Sequence, residues 1–364
     1  MVVTRLGSLN AVEQTRSSLF WRRFLGDALP SADTLGRVAT QVHPDSLRRA
    51  LRELYTCLKR NKALPPPWHG LMALVLDGHE SHSTEHRHCS GCLERRISTT
   101  HGERIQYYHR HVTAMLLGRD FPVLLDAEPQ RLGEDEIAAA LRLLKRLLNL
   151  LPRAFDVVLG DALYTDPRLY NFLLDHGKDA LTVLKNENRD LLADARALFE
   201  TPSPQRSTKG STTREVWDLQ GFTTWPQVCQ PVRVVRSRET TLSRRQLDGQ
   251  VREQEADWMW VTTLSANRAS TPAVVDLGHA RWKIENQGFN ETTNRWGADH
   301  VYKHHSAAIL IFCLMTMLAF NLFYTFFYRN LQSAYRSRHS AQHVARCLAS
   351  EIYQSLAETR APPA

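Results

Sequence analysis

The sequence predicts an α/β fold, a mixed β-sheet flanked by helices, from the order and periodicity of its apolar segments. Five apolar, strand-like segments occur in the first half of the chain, at 71–76, 107–117, 121–125, 155–159 and 180–184. Two segments with leucines at helical spacing, 134–151 and 167–176, separate the later strands. Strands that alternate with helices are typical of a central sheet covered on both faces.

The composition is that of a folded, basic protein. The chain has 364 residues, 43% of them hydrophobic, and its 46 Lys and Arg against 38 Asp and Glu give a formal charge of +8. This apolar content excludes a disordered chain, a collagen-like chain and a disulfide-stapled mini-protein. A basic surplus on a folded chain indicates a polyanionic partner, either nucleic acid or an anionic membrane.

Residues 1–68 are predicted to form a helical N-terminal unit. A helix is expected to begin at Pro44, and its leucines recur at helical spacing, at Leu47, Leu51, Leu54 and Leu58. The first 70 residues carry 11 basic and 5 acidic side chains. The unit is therefore either a small DNA-binding domain or a plain helical cap on the core.

Four further segments follow the N-terminal unit. Residues 69–200 contain the alternating strands and helices and form the first part of the core. Residues 201–268 are predicted to be a β-rich insertion, because strand-like pieces follow a stretch rich in Pro, Ser, Thr and Gly. Residues 269–330 become helical and form the second part of the core, and 331–364 form a helical tail.

One stretch, 307–328, has 22 residues without a charge and is long enough to span a bilayer. The alternative is a helix buried in a protein core, which has the same periodicity. Asn321 and two threonines inside the stretch favour the core, so we expect no membrane association. The chain opens without a signal-peptide pattern and its six cysteines are an ordinary number, which indicates a cytoplasmic protein.

Two acids directly follow apolar strands, Asp77 after 71–76 and Asp161 close after 155–159. The ends of strands in α/β sheets line the crevice where ligands bind. Two such acids on neighbouring strands would repel each other unless a divalent cation neutralised them. The alternative for each acid alone is a helix cap or, for Asp77 before a glycine, a turn residue.

A third acid, Glu285, lies on a predicted helix over 281–296. Arg281 precedes it by four residues, so both side chains share one face of that helix. The planar guanidinium of Arg281 matches phosphate oxygens, although a simple surface ion pair is the alternative.

Together, Asp77, Asp161 and Glu285 resemble the DDE triad of bacterial insertion-sequence transposases. The branch concerned has a β-strand insertion between the second Asp and the Glu. The resemblance rests on Gly160-Asp161-Ala162-Leu163-Tyr164, on Arg281-x-x-x-Glu285-Asn286-x-x-Phe289-Asn290 and on Asp77-Gly78-His79-Glu80. It covers roughly 70–330, and it departs from the branch at Gly278 and Thr292, where a Tyr and a Lys are common.

The resemblance implies an RNase-H-like core and a metal-dependent DNA transposase. It implies that Asp77, Asp161 and Glu285 bind two Mg²⁺ or Mn²⁺ ions that promote cleavage and strand transfer. Candidate phosphate contacts are Arg281, Lys283, Arg295 and Lys303. The implied partners are double-stranded DNA, as terminal inverted repeats and target, and a second copy in a homodimer on paired ends. The implied location is the bacterial cytoplasm, associated with the nucleoid. The alternatives are an inactive or domesticated DDE-like DNA-binding protein or nuclease and, with less support, a membrane-associated protein.

A Cys/His-rich stretch follows Asp77. Cys89-x-x-Cys92 with two histidines from a nearby strand is a pattern for tetrahedral zinc. His109 and His111 are expected to complete it, because residues i and i+2 of a strand lie on one face. The alternative is a reduced loop with incidental histidines.

Tryptophans cluster in and beside the predicted insertion. Trp225 precedes a proline in a predicted loop and is the candidate for stacking on a base displaced from distorted DNA. Trp258 and Trp260 are spaced i, i+2 and are expected to form one buried face of a strand.

Overall fold

The computed structural model of the chain describes residues 8–26, 29–86, 88–100, 102–185, 190–244 and 250–358. Two compact units divide the chain between them. The first unit comprises Met1–Pro66, Asp77–Pro152 and Lys283–Ala364, and the second comprises Pro67–Leu76 and Arg153–Trp282. The last six residues of the predicted tail, 359–364, lie outside the described residues.

The first unit begins with four helices, α1 (Leu9–Gln14), α2 (Leu19–Leu25), α3 (Ala32–Gln41) and α4 (Pro44–Arg60). Each of the first three begins after a serine whose side chain accepts a hydrogen bond from a backbone amide, at Ser8, Ser18 and Ser31. Pro44 occupies the first turn of α4, where its missing amide hydrogen costs nothing. Helix α4 buries one face through Leu51, Tyr55 and Leu58.

Strands β1 (Ala73–Thr84), β2 (Leu93–Thr99), β3 (Gly102–Leu116) and β4 (Val123–Pro129) follow. Strand β3 pairs antiparallel with β2 and β4, and β1 is its other neighbour. The strands predicted at 71–76, 107–117 and 121–125 are confirmed, whereas β2 is polar on most of its length and was not predicted.

Helix α5 (Glu136–Leu150) covers β3 and β4 and contributes to a buried ionic network. Asp126 and Glu128 of β4 are almost fully buried. Arg146 of α5 lies 2.6 Å from an Asp126 carboxylate oxygen, and Arg48 of α4 lies 3.0 Å from the other. Each buried carboxylate is therefore paired, as the cost of removing a charge from water requires.

The second unit is built on three parallel strands, the start of β1, then β5 (Val157–Gly160) and β6 (Asp179–Val183). Helices α6 (Pro167–Asp175) and α7 (Asp190–Leu198) follow β5 and β6 in the chain. The strands predicted at 155–159 and 180–184 and the helix predicted at 167–176 are confirmed. The alternation of apolar runs with helical segments predicted this part of the fold.

The β-rich region forms four strands: β7 (Gln205–Lys209), β8 (Thr212–Phe222), β9 (Val232–Arg244) and β10 (Val251–Thr262). Strand β10 pairs antiparallel with β6, so the strand order within the second unit is β1-β5-β6-β10-β9-β8-β7. The inserted strands thus extend the sheet of this unit, and helix α8 (Thr271–Ala280) packs on β6 and β9. The predicted class, a mixed α/β sheet with flanking helices, is confirmed.

The remaining helices belong to the first unit. A π-helical segment, Ile284–Phe289, leads into α9 (Asn290–Trp296), and α10 (Ser306–Thr325) ends in a second π-helical segment, Phe326–Asn330. Helices α11 (Ser333–Arg338) and α12 (Ala341–Glu358) follow. The prediction that 281–296 is helical is confirmed from Lys283 onward, but Arg281 and Trp282 form a turn and Ile284–Phe289 has π-helical hydrogen bonds.

Helix α10 with its π-helical end, Ser306–Asn330, is long and apolar enough to cross a membrane, but 67% of its most apolar window is buried within the protein. It packs against α3, α4 and β4. Asn321 is 1% exposed, and its side chain exchanges two hydrogen bonds, of 2.9 and 2.7 Å, with the backbone of Leu124. A buried amide satisfied by a neighbouring strand supports the interpretation of α10 as a core helix.

Candidate functional site

Asp77 lies within β1 and is half-buried. The prediction that the strand ends at Asp77 is wrong, because β1 continues to Thr84 with β3 as its neighbour. Gly78 serves close packing, not a turn: a Cβ atom at this position would overlap the carboxylate of Glu136. Pairing between β1 and β5 is described up to Val75 and Leu159, and Asp77 and Asp161 each follow two residues later in the chain.

Asp161 directly follows β5 and caps a short 3₁₀ turn, Ala162–Tyr164. Its Oδ1 accepts a hydrogen bond of 2.9 Å from the amide of Leu163. Gly160 is required before it, since a Cβ there would come within 2.5 Å of the Tyr164 side chain. The cap uses one of about four lone-pair positions of the carboxylate, which leaves capacity for a cation.

Glu285 lies in the π-helical segment Ile284–Phe289 and is half-buried. Such segments carry one extra residue per turn and are frequent at functional sites. Thr292 is buried, and its hydroxyl donates a 2.9 Å hydrogen bond to the carbonyl of Gly288. This bond stabilises the return from π-helical to α-helical geometry at the start of α9.

His79 connects the strand of Asp77 with the segment of Glu285 inside the first unit. It follows Asp77 by two residues on β1, so both side chains lie on one face. Its ring stacks on Phe289, with centroids 4.5 Å apart at 20°. Its Nε2 lies 2.9 Å from an oxygen of Asp299, which also accepts a 3.1 Å hydrogen bond from Thr293. Sequence reasoning missed this role, and the i+2 spacing from Asp77 was the available signal.

Four sulfur and nitrogen donors converge in the first unit, at Cys89, Cys92, His109 and His304. The two Sγ atoms are 3.8 Å apart, so they are not a disulfide. The Nε2 of His109 lies 3.4 and 3.3 Å from the sulfurs of Cys89 and Cys92, and the Nε2 of His304 lies 3.4 Å from the sulfur of Cys92. Burial lowers the pKa of His109 to about 4, so its ring is a neutral donor at neutral pH.

The prediction that His111 completes this site is wrong, because His304 occupies that place. A strand can present residues i and i+2 to one ion, but here it is His109, and not His111, whose ring reaches the two sulfurs. His111 instead faces a small cavity of about 50 Å³ that Ser81, Thr113 and Phe289 also line. Burial lowers the pKa of His111 to about 3.

The predicted phosphate-binding cations differ in their surroundings. Arg281 is 5% exposed and its guanidinium lies 4.4 Å from the centre of the Trp282 ring, and its contact with a DNA phosphate stays a prediction. Lys283 is half-buried, and burial lowers its pKa. Arg295 and Lys303 are exposed, and Arg295 lies 2.9 Å from Glu291 in an i, i+4 ion pair.

Trp225 lies in a loop, as predicted, but its side chain is buried, and its stacking on a base stays a prediction. Trp225 is 8% exposed, and its ring packs on Tyr170 of α6 at 4.8 Å. The side chain of Asn171 bonds to the backbone of Gln227 and Cys229, which folds the loop onto α6. Trp258 and Trp260 share a strand face and stack at 6.1 Å, but only Trp260 is fully buried.

A comparison with protein-family models shows the family of this chain. The family model described as the transposase DDE domain matches residues 69–322, a range that includes Asp77, Asp161 and Glu285. Among solved structures, the chain is similar to a piggyBac transposase in a synaptic complex with hairpin DNA, at 12% identity and a TM-score of 0.44. The match covers 88% of this chain and 62% of the piggyBac chain. No curated protein matches the chain.

Proposed function

The chain belongs to the transposase DDE domain family, and from this we propose that it is a DNA transposase that cleaves transposon ends and transfers them into target DNA. The observation that carries the proposal is that the family match contains all three predicted acids in the predicted order. The β-rich strands between Asp161 and Glu285 support the branch of bacterial insertion-sequence transposases.

We propose that Asp77, Asp161 and Glu285 hold the divalent ions. Three carboxylates form a hard, all-oxygen donor set, which suits Mg²⁺ or Mn²⁺ better than zinc. The register that places Asp77 and Asp161 each two residues beyond a paired position on neighbouring parallel strands supports this assignment. Divalent ions held by these three carboxylates would activate the attacking oxygen and stabilise the leaving oxygen of a phosphodiester.

The proposed role of the protein around these acids is to position the DNA and the carboxylates. Lys303 and Arg295 are exposed and suit DNA phosphates, and Lys283 is the third candidate. Arg281 is the fourth candidate for a phosphate contact, and its guanidinium lies over the Trp282 ring. Because two ends must be cut and joined together, we propose that a homodimer acts on paired ends.

We also propose a structural zinc ion at the Cys89-x-x-Cys92 turn. The soft thiolates there differ from the hard carboxylates of the triad, so the two sites would bind different metals. In this short turn the amide of Cys89 donates a hydrogen bond of 3.2 Å to the sulfur of Cys92, and the two sulfurs lie 3.8 Å apart, which suits two ligands of one ion.

The test is cleavage and strand transfer of DNA that carries the ends of the element, with and without Mg²⁺. Asp77→Asn, Asp161→Asn and Glu285→Gln keep side-chain volume but remove the charge that binds the ions. Each variant should lose cleavage to below detection while its DNA affinity and melting temperature stay near those of the wild type.

Asp175→Asn is the matched control, because Asp175 is an exposed acid at the end of α6. It should cleave like the wild type. Wild-type cleavage by any triad variant would remove that residue from the site. Specific binding of the ends without Mg²⁺-dependent cleavage by the wild type would identify a DNA-binding protein instead of an active transposase.

A further inference from the structure

We infer that His304 is the fourth ligand of the zinc site, and that the ion thereby fastens the segment 297–305 to the β2–β3 hairpin. This inference rests on the proposed zinc site but not on transposase activity. It assigns a ligand that lies 212 positions from Cys92 in the chain. It also gives the metal a role in holding the segment that follows the candidate catalytic residue Glu285.

Four of the six distances among the donors match those of a tetrahedral site. With zinc–sulfur bonds near 2.3 Å and zinc–nitrogen bonds near 2.05 Å, the S···S and S···N separations should be about 3.8 and 3.5 Å. The observed S···S distance is 3.8 Å, and the three S···N distances are 3.3, 3.4 and 3.4 Å. All four donor atoms lie within 4.8 Å of one another.

The chemistry of the donors also fits Zn²⁺. Two thiolates balance the charge of one divalent ion, and a Cys₂His₂ set is a common closed structural site. Both histidines present the same atom, Nε2, toward the sulfurs. His109 and Cys92 are buried, whereas Cys89 and His304 are half-buried, so an ion could enter from the side of the latter pair.

The turn between the two cysteines and the start of α10 lie close together at the site. Gly91, in the turn between the cysteines, lies against Ser306 at the start of α10, and a Cβ on Gly91 would come 2.7 Å from the Ser306 Cβ. A larger residue would push the turn away from His304. The turn therefore brings the hairpin and the start of α10 into contact, where a shared ion stabilises both.

Two polar side chains attach the segment 297–305, which joins α9 to α10, to neighbouring elements, and Tyr302 of this segment also packs on Phe312 of α10. One is Asp299, which contacts His79 of β1 and Thr293 of α9. The other is His304 at the metal site. The exposed Lys303 lies directly before His304. Loss of the ion would release the second attachment and increase the mobility of Lys303 and its neighbours.

The first measurement is zinc stoichiometry by elemental analysis of the full chain, with a competition titration against a chromogenic chelator. Wild type should hold one zinc per chain. His304→Asn should weaken zinc binding by more than about 100-fold, since even the loss of an outer partner costs 10–100-fold. Cobalt substitution should show thiolate-to-metal absorption in the wild type and a changed ligand-field spectrum in His304→Asn.

Two matched controls separate ligand loss from damage to the fold. His305→Asn changes the adjacent exposed histidine, and Cys57→Ser changes an exposed cysteine of α4. Both should bind zinc like the wild type, whereas Cys89→Ser should not. Absence of zinc from the wild type would overturn the zinc site itself. Unchanged zinc affinity in His304→Asn, with zinc present in the wild type, would overturn only the assignment of His304.

The second measurement is hydrogen exchange with and without a chelator, followed by mass spectrometry. Removal of zinc should speed exchange in both 88–109 and 297–305 and leave α6 unchanged. His304→Asn should speed exchange in 297–305 even with zinc present. Faster exchange confined to 88–109 would show that the metal belongs to the hairpin alone and would refute the attachment.

Discussion

The imidazole of His79 stacks on the ring of Phe289, and its Nε2 lies 2.9 Å from an oxygen of Asp299. His79 follows Asp77 by two residues, and Phe289 ends the π-helical segment that contains Glu285. The side chain of His79 thus links the strand that carries Asp77 to the π-helical segment that carries Glu285, and both acids are proposed metal ligands. Positioning of Glu285 should depend on this contact.

We predict that His79→Ala slows DNA cleavage without abolishing DNA binding. Loss of the stacking pair should cost about 0.5–1.5 kcal/mol in the free energy of unfolding. His79→Phe keeps the stacking but loses the bond to Asp299, so its cleavage rate should fall between those of His79→Ala and wild type. Single-turnover cleavage at saturating Mg²⁺ is the measurement.

His88→Ala is the control for this prediction, because His88 is exposed and stacks on Tyr107, away from Phe289. It should cleave like the wild type. Equal rates for His79→Ala and wild type would show that the contact does not position Glu285.

We predict that Gly278→Ala destabilises the second unit. A Cβ at Gly278 would overlap the indole of Trp260, which is 1% exposed and cannot move aside freely. Overpacking of this kind costs about 1–3 kcal/mol. Chemical denaturation measures the change.

The matched control is Gly36→Ala in α3, where a Cβ would meet only ordinary contacts of 3.5 Å or more. Because alanine favours a helix over glycine by about 0.5–1 kcal/mol, this variant should be as stable as the wild type or more stable. Equal effects of the two substitutions would show that Trp260 does not restrict Gly278.

We predict that Trp225→Ala acts through stability. Removal of a buried tryptophan from its packing on Tyr170 should cost about 3–5 kcal/mol. Trp282→Ala, at a position 40% exposed, should cost less than about 2 kcal/mol, chiefly the contact with Arg281. Denaturation and DNA affinity are to be measured on both variants. A stable Trp225→Ala protein with weakened binding of distorted DNA would support the base-stacking role.

Much of the fold could be predicted from the pattern of apolar and polar residues within a few positions of each residue. The apolar run at 155–159 forms β5 and the leucine repeat at 134–151 forms α5. Both could be predicted because an apolar run and helical spacing are signals that lie within the segment itself. Strand β2 and helix α7 were not predicted. Strand β2 is held by pairing with β3, and its exposed polar side chains carry no periodic apolar signal.

The sequence by itself determined the α/β class, the order of the three acids and the Cys-x-x-Cys turn, because these depend on residue type and short spacing. Only the tertiary structure decided that His304 replaces His111, that Trp225 and Arg281 are buried, and that β1 runs past Asp77. Each of these depends on which distant segment packs against the residue. Spacing along the chain does not encode that choice: His304 reaches Cys92 only because α10 begins beside the hairpin.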